Sequence, residues 1–336
     1  MTKLLIVGGR QRRNALDLEE WQAYDQARVV QLDSATGEVR ERLTYVTPPE
    51  HCAPESPAIV FKAGTLVGDR LWLCTMTEVL VWNHVTEQIE HCFSHPTFND
   101  LHHVLPLGET RYCVANTGLD QAVQMNGGDR LEQAWNLADV PTWERFDESQ
   151  DYRRIASTKP HAVHANFIFE WDEELWATRF HCQDAIALGS PDRRIDLSQG
   201  GPHDGILIDG ALRFTVVQGS VATVSSPCAG ESKSRCPETK WTRLQPPDKS
   251  SELLGWCRGI CTAGDSEVWI GFSRLRPTKM RSNLSWIKHG FQRVGQHATR
   301  PTRIARYDLT DGRCLEEIDL EPYGLNAVFG IYALPS

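Results

Sequence analysis

Three short stretches place histidines where strands begin: His102 and His103 in Asn-Asp-Leu-His-His, His161 and His164 in Pro-His-Ala-Val-His-Ala-Asn, and His203 in Pro-His-Asp-Gly. Neutral imidazoles are ligands for a divalent transition metal such as zinc, iron, copper or nickel, and three of them leave a coordination position open for water or substrate. His103 and His203 each stand nine residues before the residue that anchors a second strand, Tyr112 and Leu212, so an ungapped count makes them equivalent. At the same offset from Leu175 lies Asn166. His164, two residues earlier, shares its strand face. The count therefore favours His103, His164 and His203 as ligands, with His102 and His161 as neighbours able to replace them. Taken singly, each histidine is better explained as a hydrogen-bonded structural residue, and it is the recurrence at strand starts in consecutive blades that points to a shared ion.

Other reactive side chains lie close by in sequence. Asp204, Asp100 and His181 are candidates for moving protons or fixing an imidazole tautomer. Arg258 is suited to a carboxylate or a developing oxyanion. Asn166, Asn326 and Cys257 also sit at strand starts and are candidates for touching a substrate. The plainer readings are an Asx-type turn for Asp204 and a buried ion pair for Arg258. No Gly-x-Ser-x-Gly elbow is present, and the glycine pairs at 8–9, 127–128 and 200–201 lack phosphate-loop spacing.

The elements that must position these residues are repeated. Segments 58–74, 101–115, 164–178, 203–217 and 257–272 each read as a strand, a tight turn rich in Gly, Asp or Glu, and a second strand. Outer strands follow, most clearly across the Asp311-Gly312 turn. The N-terminal part supplies only outer strands and the C-terminal stretch 326–334 only an inner one. This pattern predicts an all-β chain folded as a six-bladed β-propeller in which strands from both ends close the last blade. Inner strands of such a fold surround one axis, so histidines scattered along the chain would meet there. One domain spanning 1–336 is expected, with long insertions near 139–160, 225–255 and 274–303.

Composition narrows the class. The net charge of −9 argues against a general nucleic-acid binder, which needs a basic surface. No apolar run is long enough for a membrane span, and residues 4–9 read as a strand rather than a signal-peptide core. Ten cysteines without a CxxC pair suggest free thiols and a cytoplasmic setting; a loop disulfide between Cys228 and Cys236 is the alternative for an exported chain. Segment 274–303 holds eight Lys/Arg and no acid, with Trp286 and Phe291, and reads either as a solvated insertion or as a lid for an anionic substrate or phospholipid surface.

The succession His102-His103, His164-Ala-Asn166, Pro202-His203 and Arg258-Gly259 resembles an uncharacterised bacterial family of six-bladed propellers. More distantly the chain is similar to the tri-histidine zinc propeller of peptidyl-hydroxyglycine amidating lyase and to the gluconolactonase and strictosidine synthase group. It departs from the gluconolactonase pattern in lacking an early strand-opening Glu. The expectation is a metal-dependent enzyme of lyase, hydrolase or isomerase type acting on a small, possibly anionic substrate; iron or copper would also admit oxidoreductase chemistry. The rival expectation is a noncatalytic propeller that binds a protein or small ligand.

Overall fold

The protein is described by a computed structural model covering residues 3–13, 18, 22–225, 239–248, 254–275 and 300–335. Six four-stranded antiparallel sheets form the blades of a propeller. Blade I comprises Gly64–Val67, Arg70–Cys74, Val79–Asn83 and Gln88–Phe93. Blade II runs through Leu101–Pro106, Arg111–Asn116, Gln121–Asn126 and Arg130–Asn136. Blade III holds Ala165–Trp171, Glu174–Arg179, Asp184–Ala187 and Arg194–Asp196. Blade IV holds Ile206–Ile208, Ala211–Val216, Ser220–Ser225 and Thr239–Arg243. Blade V holds Trp256–Thr262, Glu267–Ser273, Arg303–Asp308 and Arg313–Asp319. In blade VI the inner strand Ala327–Ala333 pairs with Lys3–Gln11, which continues to Tyr24–Asp33 and Val39–Tyr45.

The expected closure by both chain ends is therefore present. It removes the free edges that an open ring of sheets would expose. The backbones approach closely along this seam, and a Cβ on Gly8 would lie 1.7 Å from the Ala327 carbonyl oxygen, so only glycine fits.

Apolar residues on both faces of the middle strands bury between neighbouring blades. One cluster packs blade I on blade II through Trp72, Val104, Tyr112 and Val123, and another packs blade IV on blade V through Val221, Ile270, Phe272 and Tyr307. Fourth strands carry little of this core and are largely exposed. That explains one departure from the sequence reading: Thr239–Arg243, inside the segment expected to be surface loop, is the outermost strand of blade IV. Its Thr-Lys-Trp-Thr-Arg sequence has the polar character of a solvent-facing edge. The segment 139–160 contains a one-turn helix, Thr142–Arg145, and a short turn, Tyr152–Arg154, in line with its reading as loop or short helix. Cys228, Cys236, Trp286, Phe291 and most of the basic segment lie outside the described residues. The eight described cysteines, including Cys257 and Cys261, are free thiols. Among the described residues no helix is long and apolar enough to cross a membrane.

Candidate metal centre around the propeller axis

Strand register shows which residues share a level near the axis. In each blade the second residue of the second strand pairs with an inner-strand residue: Leu71 with Leu66, Tyr112 with Pro106, Leu175 with Glu170, Leu212 with Leu207, Val268 with Thr262 and Leu4 with Ala333. Four residues before those inner partners stand Lys62, His102, Asn166, His203, Arg258 and Phe329. These six form one ring of equivalent positions. In blades II, III, V and VI a register shift falls at or beside this position. Such a bulge interrupts side-chain alternation and re-aims the residue it carries.

The contacts agree with the register. The Lys62 ammonium lies 3.5 Å from His102 Nε2 and 4.6 Å from the centre of the Phe329 ring. Arg258 approaches the same ring at 4.7 Å, so two cations stand over one aromatic. The His102 and His203 rings are 6.4 Å apart, and His203 is 6.4 Å from Phe329. His164 belongs to the level of Asp100, both with φ near +50°, and its ring lies 4.8 Å from that of His102. The histidines of blades II, III and IV thus lie beside one another, but their donor nitrogens do not all come within 4.8 Å of one another, so sharing one ion requires the rings to draw together.

His103 is not part of this group. Its Nε2 donates to the Gly64 carbonyl at 3.0 Å, its Nδ1 accepts from the Ile168 amide at 3.2 Å, and its ring stacks on Phe167 at 3.5 Å. Both nitrogens are spent on holding blades I, II and III together, and burial pushes the ring's pKa down to about 3. The ungapped count failed because the blade II hairpin turns through Gly108-Glu109-Thr110, whereas blade IV turns through Asp209-Gly210 alone. One extra turn residue moves the equivalent position from His103 to His102. Replacing His103 by alanine is expected to cost about 2–4 kcal/mol by orphaning a buried carbonyl and an amide, while bound metal per folded protein stays unchanged. Urea titration alongside elemental analysis checks both halves.

The three clustered imidazoles each turn Nδ1 toward a protein group. His102 Nδ1 donates to the Asp100 carbonyl at 2.9 Å, His164 Nδ1 meets His161 Nδ1 at 2.9 Å, and His203 Nδ1 faces Asp204 Oδ1 at 3.5 Å. A second partner on one ring nitrogen fixes the tautomer and leaves the other for a ligand. Both His203 nitrogens are buried and make no hydrogen bond within the usual limits. Burial holds His203, His161, His102 and His164 below the ordinary histidine range, with Lys62 adding to the effect at His102 and the His102 ring at His164. They are neutral near pH 7, as metal ligands must be.

The acidic residues have positioning geometry. Asp204 is buried; its Oδ2 accepts from the Thr215 hydroxyl and, at 3.0 Å, from the Gly259 amide. Gly259 has φ +77°, and its missing side chain lets that amide turn inward and lets the backbone pass Gly330. Asp204 is thereby held beside His203, while its Oδ1 is buried without a hydrogen-bond partner. Asp100 places Oδ1 3.3 Å from Lys62 Nζ and 3.6 Å from His102 Nδ1. Burial would raise its carboxyl, but Lys62 and His102 hold it well below the usual carboxylate range. His161 Nε2 lies 3.9 Å from Asp100 Oδ2. His181 is exposed, with its ring 5.6 Å from His164.

Three further candidates belong to the scaffold. Cys257 packs in the apolar cluster between blades IV and V, which removes it from the substrate-contacting set. Asn326 accepts from the Gln11 amide at 2.9 Å and braces the closing blade. Asn166, although in the ring, donates to the Pro202 carbonyl at 3.0 Å and links blade III to the His203 turn; its Oδ1 is buried without a partner. Sequence reasoning missed Lys62, Phe329 and Asp120. The last accepts from the amides of Ala162, Val163 and His164 at 2.7–3.0 Å and pairs with Arg145 at 2.9 Å, holding the turn that presents His161 and His164.

No family model matches the sequence, nor does any curated protein. Solved structures share the fold at low identity. The chain is similar to a protein of unknown function from Bacteroides caccae, at 10% identity over 100% of both chains with a TM-score of 0.59. It is also similar to a putative 6-phosphogluconolactonase from Bacteroides fragilis, at 9% identity over 99% of this chain and 98% of the other, TM-score 0.50. A chain from a nidogen/laminin complex superposes with 10% identity over 99% of each, TM-score 0.55. Propellers at this distance share architecture and nothing finer.

Proposed function

We propose that the axial cluster is the active centre of a metal-dependent enzyme of lyase, hydrolase or isomerase type, with His102, His164 and His203 as ligands to one divalent transition metal. The observation that carries this reading is the pair of His203 nitrogens, buried, neutral and without a hydrogen bond, beside two other imidazoles whose Nδ1 atoms are already occupied. A bound divalent ion supplies Lewis acidity toward a carbonyl, hydroxyl or water.

The remaining residues prepare the site. The Asp100 carbonyl holds the His102 imidazole and His161 that of His164, Asp204 stands beside His203, and Lys62 would have to withdraw from His102 Nε2 for that nitrogen to hold a metal. Lys62 and Arg258, both over Phe329, favour a small substrate carrying a carboxylate or phosphate. His181, exposed near His164, exchanges protons with solvent. The acidic overall charge and the enclosed ring suit a small molecule better than a nucleic acid.

Elemental analysis of protein purified without a histidine tag tests the reading directly. Close to one equivalent of a transition metal per chain that disappears in His203→Ala is expected. A fully folded protein that neither contains metal nor takes it up on dialysis against zinc, iron, copper and nickel would leave the noncatalytic binding module as the better account.

A further inference from the structure

A second cluster lies apart from the axial histidines, where the linker from blade VI meets blade I. His51 stands in the one-turn helix Pro49–His51, Glu78 directly precedes the strand Val79–Asn83, and Cys92 lies on the outermost strand of blade I opposite Leu80. One donor atom from each residue comes within 4.8 Å of the others, the only such group of histidine, cysteine and carboxylate side chains found among the described residues. His51 Nδ1 is 2.9 Å from Glu78 Oε1, and Cys92 Sγ is 3.6 Å from the same oxygen. Zinc bonds of about 2.0–2.3 Å place neighbouring donors roughly 3.3–3.8 Å apart, so a small adjustment would let the three share one ion.

The electrostatics also ask for a cation. The Glu78 side chain is fully buried, and among the described residues no lysine or arginine pairs with it. Its other partners are hydroxyls and a thiol: Tyr45 at 3.1 Å, Thr75 at 3.3 Å and Cys92. A buried carboxylate without a permanent counter-charge is costly, and a divalent ion would supply that charge. Cys92 is exposed and His51 partly so, which gives an ion a way in.

We propose that His51 Nδ1, Glu78 Oε1 and Cys92 Sγ form a zinc site that fastens the blade VI linker to blade I, with the Tyr45 and Thr75 hydroxyls orienting the carboxylate. Binding releases the Cys92 proton to solvent and leaves a fourth position for water. The donor set is independent of the axial histidines.

Cobalt(II) is the probe, because a thiolate ligand adds an intense near-ultraviolet charge-transfer band that histidine and carboxylate ligands do not give. Chelator-stripped protein titrated with cobalt should develop this band, with a final intensity corresponding to one thiolate-bound cobalt per chain. Cys92→Ser, a conservative change on an exposed strand, should abolish it, and His51→Gln should weaken cobalt binding there roughly 10-fold or more. His203→Ala should keep the band at wild-type affinity, so failure of the axial reading would not remove it. A wild-type protein without the band, a band surviving Cys92→Ser, or one that requires His203 would overturn the assignment.

Discussion

Changing His203 to alanine is expected to empty the axial centre of its metal while the propeller stays folded. In the proposed centre this imidazole would be one of three ligands. Outer partners of metal ligands are typically worth 10- to 100-fold in affinity, so loss of a ligand should weaken binding by more than about 100-fold. The fold should survive because the ring makes no hydrogen bond on which other elements depend, and because Thr215 and the Gly259 amide continue to hold Asp204. The informative comparison is His103→Ala, which removes a histidine of similar burial one residue from a ligand. His203→Ala should lose metal and keep most of its stability; His103→Ala should lose stability and keep metal. Elemental analysis and urea midpoints on the same preparations separate the two outcomes. A metal content in His203→Ala equal to that of the wild type would end the tri-histidine assignment.

The fold was legible because a blade is a local object. Strand, tight turn and strand lie within about twenty residues, and the turn residues that connect them have few other uses. Even the closure could be read, because outer strands at one end and an inner strand at the other complete each other. Thr239–Arg243 escaped notice because an exposed fourth strand buries too little to impose alternation. The site was legible only to within a residue. Placing His102 rather than His103 at the axis depends on whether a hairpin turns in two residues or three, and on a bulge after Leu101. Both features are settled by backbone pairing and leave little trace in composition. Lys62 was hidden for another reason: it stands between the core residues Phe61 and Ala63, in a stretch whose legible signal is apolar. Only the shared register with His102 and Arg258 gives it a place in the ring.

The largest loss of stability among the variants considered is expected from Asp120→Asn, which should also cost the axial metal. Asp120 sits after blade II's second strand with φ +52°, a conformation that asparagine tolerates, so the substitution changes chemistry more than shape. Its Oδ1 accepts from the Val163 and His164 amides, each at 3.0 Å, and its Oδ2 from the Ala162 amide at 2.7 Å and from Arg145. An asparagine can accept at only one of these ends and must point an amide NH2 at donors from the other. Breaking a buried ion pair and its hydrogen bonds in this way costs on the order of 3–5 kcal/mol. The groups released form the turn that presents His161 and His164, so the axial imidazoles should lose their alignment even where the blades remain folded. Arg145→Met supplies the control: it removes the partly exposed cation but leaves the three amide bonds in place. That variant should cost less than Asp120→Asn and retain metal. Equal metal content in Asp120→Asn and wild type, compared at a temperature where both are folded, would show that the turn keeps its shape without the carboxylate and that Asp120 acts on stability alone.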